Sequence, residues 1–104
     1  ISLSKIQKVF NNELDQNTVL GIHLHENMGI SFALARQFIK ESKNNRDIII
    51  DSSLQGMGRV PGNVCSEAIM SELNFTEDKT YNLTPILEVI DEVINPIREK
   101  ITWG

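Results

Sequence analysis

The chain has 104 residues, enough for one domain. Its 14 acidic and 10 basic residues leave a formal charge of -4, so there is no global pull toward nucleic acid or anionic lipid. A single cysteine excludes an intrachain disulfide. No apolar run approaches the roughly 20 residues of a membrane span, and no signal-peptide pattern opens the chain, so the expectation is a cytoplasmic protein. The first residue is Ile1 rather than Met, and Thr102-Trp103-Gly104 carries no obvious stop to the fold. Both ends read as cuts in a longer protein.

Residues 2–12 suit a helix that Ser2 or Ser4 can cap, with Ile6, Val9 and Phe10 as its apolar stripe. A polar loop at 11–17 leads into a strand at 19–24, rich in β-branched and apolar residues. Gly29 punctuates. Residues 30–43 form a second helix that buries Ala33, Leu34 and Phe38, with Ile30 and Ala35 as further candidates. Lys40 and Lys43 complement the dipole at its C-terminus, and Asn44-Asn45 ends it. The strand at 47–54 contains three consecutive isoleucines, the pattern of a parallel strand covered on both faces. A glycine-rich loop at 55–62 precedes a short helix at 63–73, with Ala68, Ile69 and Leu73 inward. After a polar connection at 76–80, Thr84-Pro85 opens the last helix with a cap and a first-turn proline. Its stripe is Ile86, Val89, Ile90, Val93, Ile94 and Ile97, and Pro96 should kink or end it. Strands joined through helices pair in parallel with a right-handed crossover. Two strands do not make a stable parallel sheet, so the remaining strands must come from outside this sequence or from a second copy.

The residues with chemical potential cluster after the two strands. Strand alternation puts Val19, Gly21, His23 and His25 on one face and Leu20, Ile22 and Leu24 on the other. Two imidazoles on one face, at the C-terminal end of a parallel strand, can chelate one divalent metal. The same pair can also be two solvated or hydrogen-bonded polar residues. Gln55-Gly56-Met57-Gly58-Arg59-Val60-Pro61-Gly62-Asn63 follows the second strand directly. Its glycines allow tight turns and close approach to a ligand, and the next helix offers N–H groups to an anion. Arg59 can clamp a carboxylate or phosphate, or simply be solvated. Asn63 can give a carbonyl oxygen to a metal or cap the helix. Glu26 ranks below it as a ligand because alternation points it away from the histidines. Cys65 has no base in sequence and is treated as a small buried hydrophobe. Asp51 lies in an isoleucine-rich strand and is expected to be buried and in need of donors. Glu67 suits the first turn of its helix.

Gly21-Ile22-His23-Leu24-His25-Glu26-Asn27-Met28-Gly29 resembles the seventh-strand motif of the HMG-CoA-lyase-like metal-dependent barrels. The segment 51–63, followed by Glu67, resembles their eighth-strand segment, and the tail from Tyr81 to Gly104 resembles that of aldolase-like bacterial proteins of this group. The family includes 4-hydroxy-2-oxovalerate aldolases, HMG-CoA lyase, isopropylmalate and homocitrate synthases and biotin-dependent carboxyltransferase domains. The resemblance implies an α/β fold, the last two strand–helix units of a (β/α)8 TIM barrel, over residues 1–104. It implies a divalent metal (Mn²⁺, Mg²⁺ or Zn²⁺) held by His23 and His25, with Asn63 as a direct or nearby oxygen ligand. Gly56, Gly58 and Gly62 would lie by the substrate, with Arg59 beside them. The implied activity is cleavage or formation of a carbon–carbon bond through a metal-stabilised enolate of a 2-oxo acid such as pyruvate. The family's Asp-Arg-Glu segment, at the end of the first strand, is not in this sequence. Glu26 stands where Asn or Asp is usual, and Cys65 lies on the wrong side of the Gly-Asn pair to inherit the lyase's catalytic cysteine.

The partners expected are the remainder of the barrel, a small 2-oxo or hydroxy-oxo acid substrate, and a second copy if the parent is a homo-oligomer. Neither nucleic acid nor membrane is expected. Readings kept beside this one are an acyl-CoA condensing synthase or carboxyltransferase of the same family, and a non-catalytic α/β module that binds an anion in the glycine-rich loop.

Overall fold

A computed structural model describes residues 2–42, 45–59 and 61–103. Lys43 and Asn44, expected at the end of the second helix, and Val60, within the glycine-rich segment, lie outside the described residues. The elements are α1 (Leu3–Glu13), β1 (Leu20–His23), α2 (Ser31–Ser42), β2 (Ile48–Asp51), a 3₁₀ turn (Leu54–Gly56), α3 (Ser66–Thr76), α4 (Thr84–Val89), a π-helical turn (Ile90–Ile94) and α5 (Asn95–Arg98). The chain is therefore α/β with a small two-stranded parallel sheet, in the expected order of elements.

The sheet's register sets up everything that follows. Leu20 pairs with Ile48, Gly21 with Ile49, Ile22 with Ile50 and His23 with Asp51. Both strands alternate in exposure. Leu20 and Ile22, with Ile48 and Ile50, turn inward, while Gly21 and His23, with Ile49 and Asp51, turn outward. Ile50 and Leu24 pack against a core of Ala35, Val64 and Ile69, joined by Phe32, Ile39 and Leu73. The three isoleucines do not see two covered faces as expected. Ile49 is 57% exposed, because helices lie on one side of the described sheet and nothing lies on the other. A groove of about 500 Å³ on the helical side is lined by Ile39, Ile48, Ile50, Ile69 and Leu73, away from both histidines.

The first helix departs from its apolar pattern. Ser2 Oγ accepts from Lys5 N, a cap worth about 1 kcal/mol. Ile6, Val9 and Phe10 are nevertheless 39%, 59% and 44% exposed, and the buried residue is Gln7. Its amide nitrogen donates to Phe38 O and Ser42 Oγ, while Ser4 Oγ donates to Glu41 Oε1 at 2.9 Å. Thus α1 meets α2 through a polar edge and leaves its greasy face open. Arg46 ties the following loop by donating to the carbonyls of Asn11, Leu14, Asp15 and Thr18. In α2, Ala35 and Phe38 are buried, but Ala33 and Ile30 face solvent, contrary to expectation. Lys40 does fall in the last turn of α2.

The second half of the chain shifts by a few residues. The helix expected from residue 63 begins at Ser66, because Asn63 and Cys65 are still occupied in bridges to His25 and Ser53. Thr84-Pro85 does open α4, although no side chain caps it. Pro96 does not end the helix. A proline lacks the N–H of an α-helical turn and its ring crowds the carbonyl four residues back. The wider π turn at 90–94 precedes it, and α5 continues to Arg98. The expected stripe divides: Ile90 and Ile94 are buried against Trp103, with Ile86 and Leu54 alongside, whereas Val89, Val93 and Ile97 remain open. Among the described residues no helix is long and apolar enough to cross a membrane.

Candidate metal centre

His23 and His25 leave β1 on its open face, at the C-terminal end of the strand. Their ring centroids are 4.9 Å apart at an interplanar angle of 76°. The parallel register brings Asp51 to His23, and Asp51 Oδ2 lies 3.2 Å from His23 Nδ1. Asp51 is therefore not the buried carboxylate that the sequence suggests; its side chain is 61% exposed and faces an imidazole. A hydrogen bond this open contributes little stability. Its consequence is orientation. With Nδ1–H donating to the carboxylate, the ring is held in one tautomer and its Nε2 lone pair is left free for a ligand.

Asn63 joins the histidines through the backbone. It forms an antiparallel bridge with His25, next to a hydrogen bond from Glu26 N to Gly62 O at 2.9 Å. It caps no helix. Its N–H donates to Gly56 O at 3.0 Å and its Nδ2 donates to Met57 O at 3.1 Å. Its Oδ1 is buried and, among the described residues, accepts from no group. A buried acceptor without a donor costs about 1–3 kcal/mol, so this oxygen is strongly disposed to take a proton donor or a cation. Gly58 closes over the amide. A Cβ at Gly58 would sit 2.4 Å from Asn63 Nδ2, so only glycine leaves the amide where it is.

The rest of the glycine-rich segment is wound against Asn63 as well. Gln55, Gly56 and Gly62 have φ of 50°, 68° and 102°. A Cβ on Gly56 would also meet Asn63 O at 2.8 Å. Gly56→Ala combines a left-handed backbone with a backbone clash, and should destabilise the intact parent protein by about 2 kcal/mol, read there as a lower denaturant midpoint at unchanged m-value. The loop offers an anion less than its composition promised. The N–H groups of Gly56, Met57, Gly62 and Asn63 donate to Ser53, Leu54, Arg59 and Gly56 carbonyls, and Ser66 N donates to Ser53 O. Gln55 N donates to the Glu67 carboxylate at 3.0 Å, which places Glu67 in the first turn of α3 as expected. Arg59 is exposed.

Two nearby residues are directed elsewhere. The Glu26 carboxylate accepts from the N–H and hydroxyl of Ser31 and so closes the N-terminus of α2 rather than facing the histidines. Burial first, then a hydrogen bond to Glu67, pushes the Cys65 thiol up to about 11. A raised thiol is the opposite of the depressed one that a cysteine nucleophile needs. Among the described residues, no group of three or more His, Cys, Asp or Glu side chains is arranged to hold a metal. The candidate donors named from the sequence are two imidazoles and one amide oxygen.

The contact of Asp51 with His23, and those of Gln55 with Glu67, Arg98 and Trp103, escaped the sequence reading. Aligning the quartets 20–23 and 48–51 as neighbouring parallel strands would have put Asp51 opposite His23. No comparable signal links residue 55 to residues 98 and 103.

Two curated proteins are similar to the chain: the 4-hydroxy-2-oxovalerate aldolases of Shewanella pealeana and Shewanella halifaxensis. Each is 29% identical over 89 residues, covering 85% of this chain and 25% of the relative. The chain thus spans about a quarter of the length of the curated relatives it matches. No family model matches. No solved structure matches either. The chain is distantly related to 4-hydroxy-2-oxovalerate aldolases.

Proposed function

We propose that this chain is the last two strand–helix units of a (β/α)8 barrel, from a divalent-metal-dependent aldolase that acts on a 2-oxo acid such as pyruvate. The observation that carries the reading is the buried, unpartnered Oδ1 of Asn63, on a residue bridged to His25, beside the His23–His25 pair. Two imidazoles favour Zn²⁺, an amide oxygen favours Mn²⁺ or Mg²⁺, and the mixed set fits Zn²⁺ or Mn²⁺ better than Mg²⁺. The distant likeness to 4-hydroxy-2-oxovalerate aldolases supplies the reaction class, and the parallel β–α–β order is that of a barrel segment.

Held by His23, His25 and Asn63, such an ion would supply Lewis-acid stabilisation of the negative charge that develops on the substrate carbonyl oxygen. His23 and His25 hold the site on the sheet's open face, and Asp51 keeps His23 turned with Nε2 forward. Asn63 adds an oxygen whose position is set by Met57 O and the absence of a side chain at Gly58. Gly56, Gly58 and Gly62 let the backbone run close to the substrate. Arg59, exposed in the loop, would pair with the substrate's carboxylate. An acidic ligand completing the set would come from another part of the barrel, as would the walls that exclude water. The anion-binding module is the weaker reading, because the loop's N–H groups listed above as donors are already spent within the chain.

The test is Mn²⁺ binding and pyruvate release by the intact protein, supplied with a 4-hydroxy-2-oxo acid. Stoichiometric Mn²⁺ without pyruvate release would keep the site and remove the reaction; no metal binding would remove both. Asp51→Asn keeps the shape and weakens the acceptor, and should lower Mn²⁺ affinity about tenfold with little change in melting temperature. Unchanged affinity would show that His23 needs no orienting partner.

A further inference from the structure

Gln55 is held in a left-handed backbone conformation, φ 50° and ψ 23°, which side-chain-bearing residues rarely adopt. Its backbone N–H, its carbonyl and its side-chain oxygen are all held. Its N–H donates to both oxygens of Glu67 at 3.0 and 3.1 Å. Its carbonyl accepts from Trp103 Nε1 at 2.9 Å. Its side-chain oxygen accepts from Arg98 at 3.2 Å. Arg98 also lies over the Trp103 ring, 5.2 Å from its centroid. Trp103 is 5% exposed and fixed by Ile90 and Ile94, so the grip is anchored in the small core of the C-terminal helices. The next two residues, Gly56 and Met57, supply the carbonyls that bind the N–H and Nδ2 of Asn63.

We infer that Arg98 and Trp103 are positioning residues: through Gln55 they hold the glycine-rich loop in the one conformation that fixes the Asn63 amide in the metal site. The inference rests on the metal-site reading for its consequence, though not for the clamp itself. An L-residue at position 55 leaves the left-handed region unless the clamp retains it. When it leaves, the two carbonyls that orient Asn63 move with it. The C-terminal tail thereby sets the affinity of a site that none of its own side chains touches.

Trp103→Phe keeps a ring between Ile90 and Ile94 and removes the N–H donor together with one of the two fused rings, a loss of packing for which a second change, at Gln55, is the control. In the intact protein it should speed exchange of the Gly56, Met57 and Asn63 amides about tenfold, the scale of one lost hydrogen bond. It should also weaken Mn²⁺ binding about tenfold. Adding Gln55→Gly should restore both toward the parent values, since glycine takes positive φ without a clamp. General damage to the tail would not be relieved by a change at position 55. Unaltered amide exchange in Trp103→Phe, or no relief from Gln55→Gly, overturns the clamp. If exchange responds as expected while Mn²⁺ affinity stays at the parent value, the link to Asn63 is overturned. A parent protein whose Mn²⁺ binding is indifferent to His23→Ala sinks the metal site instead, and amide exchange then decides the clamp alone.

Discussion

Replacing either His23 or His25 by Ala in the intact protein is expected to remove both retained metal and turnover. Each change deletes one of the two nitrogen donors this chain provides, leaving one imidazole and the Asn63 oxygen. The loss should exceed the roughly 10–100-fold that follows removal of an outer-shell partner. Neither change should damage the fold. Both residues are exposed, their ring contact lies on the open face, and the His23–Asp51 pair is screened by solvent. Elemental analysis of the purified variants therefore separates loss of the site from loss of structure, with melting temperature as the control. Metal content equal to the parent's in both variants would remove the metal-site assignment. Cys65→Ser should leave metal content unchanged, because the thiol is protonated and faces Glu67.

The parts of this arrangement that were legible in the sequence are those governed by local period. A period of two put Leu20 and Ile22 inward and Gly21 and His23 outward, and the strand does so. It also fixed His23 and His25 at the strand's C-terminal end. What the sequence hid are the pairings made by separate segments. Asn63 looks like a helix cap to a local rule, but its backbone is engaged by His25 and Gly56, so the helix waits until Ser66. Glu26 reads as a departure from a family position; its longer side chain reaches Ser31 and closes α2. The apolar stripe of α1 failed for another reason. Periodicity says that Ile6, Val9 and Phe10 share a face, and it says nothing about whether this chain covers that face. The same holds for Ile49 and for Val89, Val93 and Ile97. Pro96 was legible as a residue that would kink or end the helix; a π turn precedes it and the helix runs on to Arg98.

Those open faces carry the second large expectation: the 104-residue chain on its own should self-associate and should melt without a cooperative transition. A two-stranded parallel sheet is covered here on one side only, and each of its strands pairs on one edge. Parallel sheets persist where both faces are covered, and unpaired edges are templates for further pairing. To these are added the exposed stripe of α1, the outward Ile49 and the open half of the last helices. Burying apolar surface is worth about 25 cal/mol per Å², and whole-domain stability is only about 5–15 kcal/mol, so a few uncovered side chains decide the balance. Sedimentation velocity over a concentration series and differential scanning calorimetry read the two halves of the expectation. If the chain runs as a single monomeric species and unfolds in one sharp transition, its open faces need no covering. The case for a missing set of barrel strands would then fail at its physical root. Association that disappears when the chain is produced in continuity with the rest of its parent would show the opposite. Ile6, Val9, Phe10 and Ile49 would then be interior residues of a larger fold, exposed only because their partners are elsewhere.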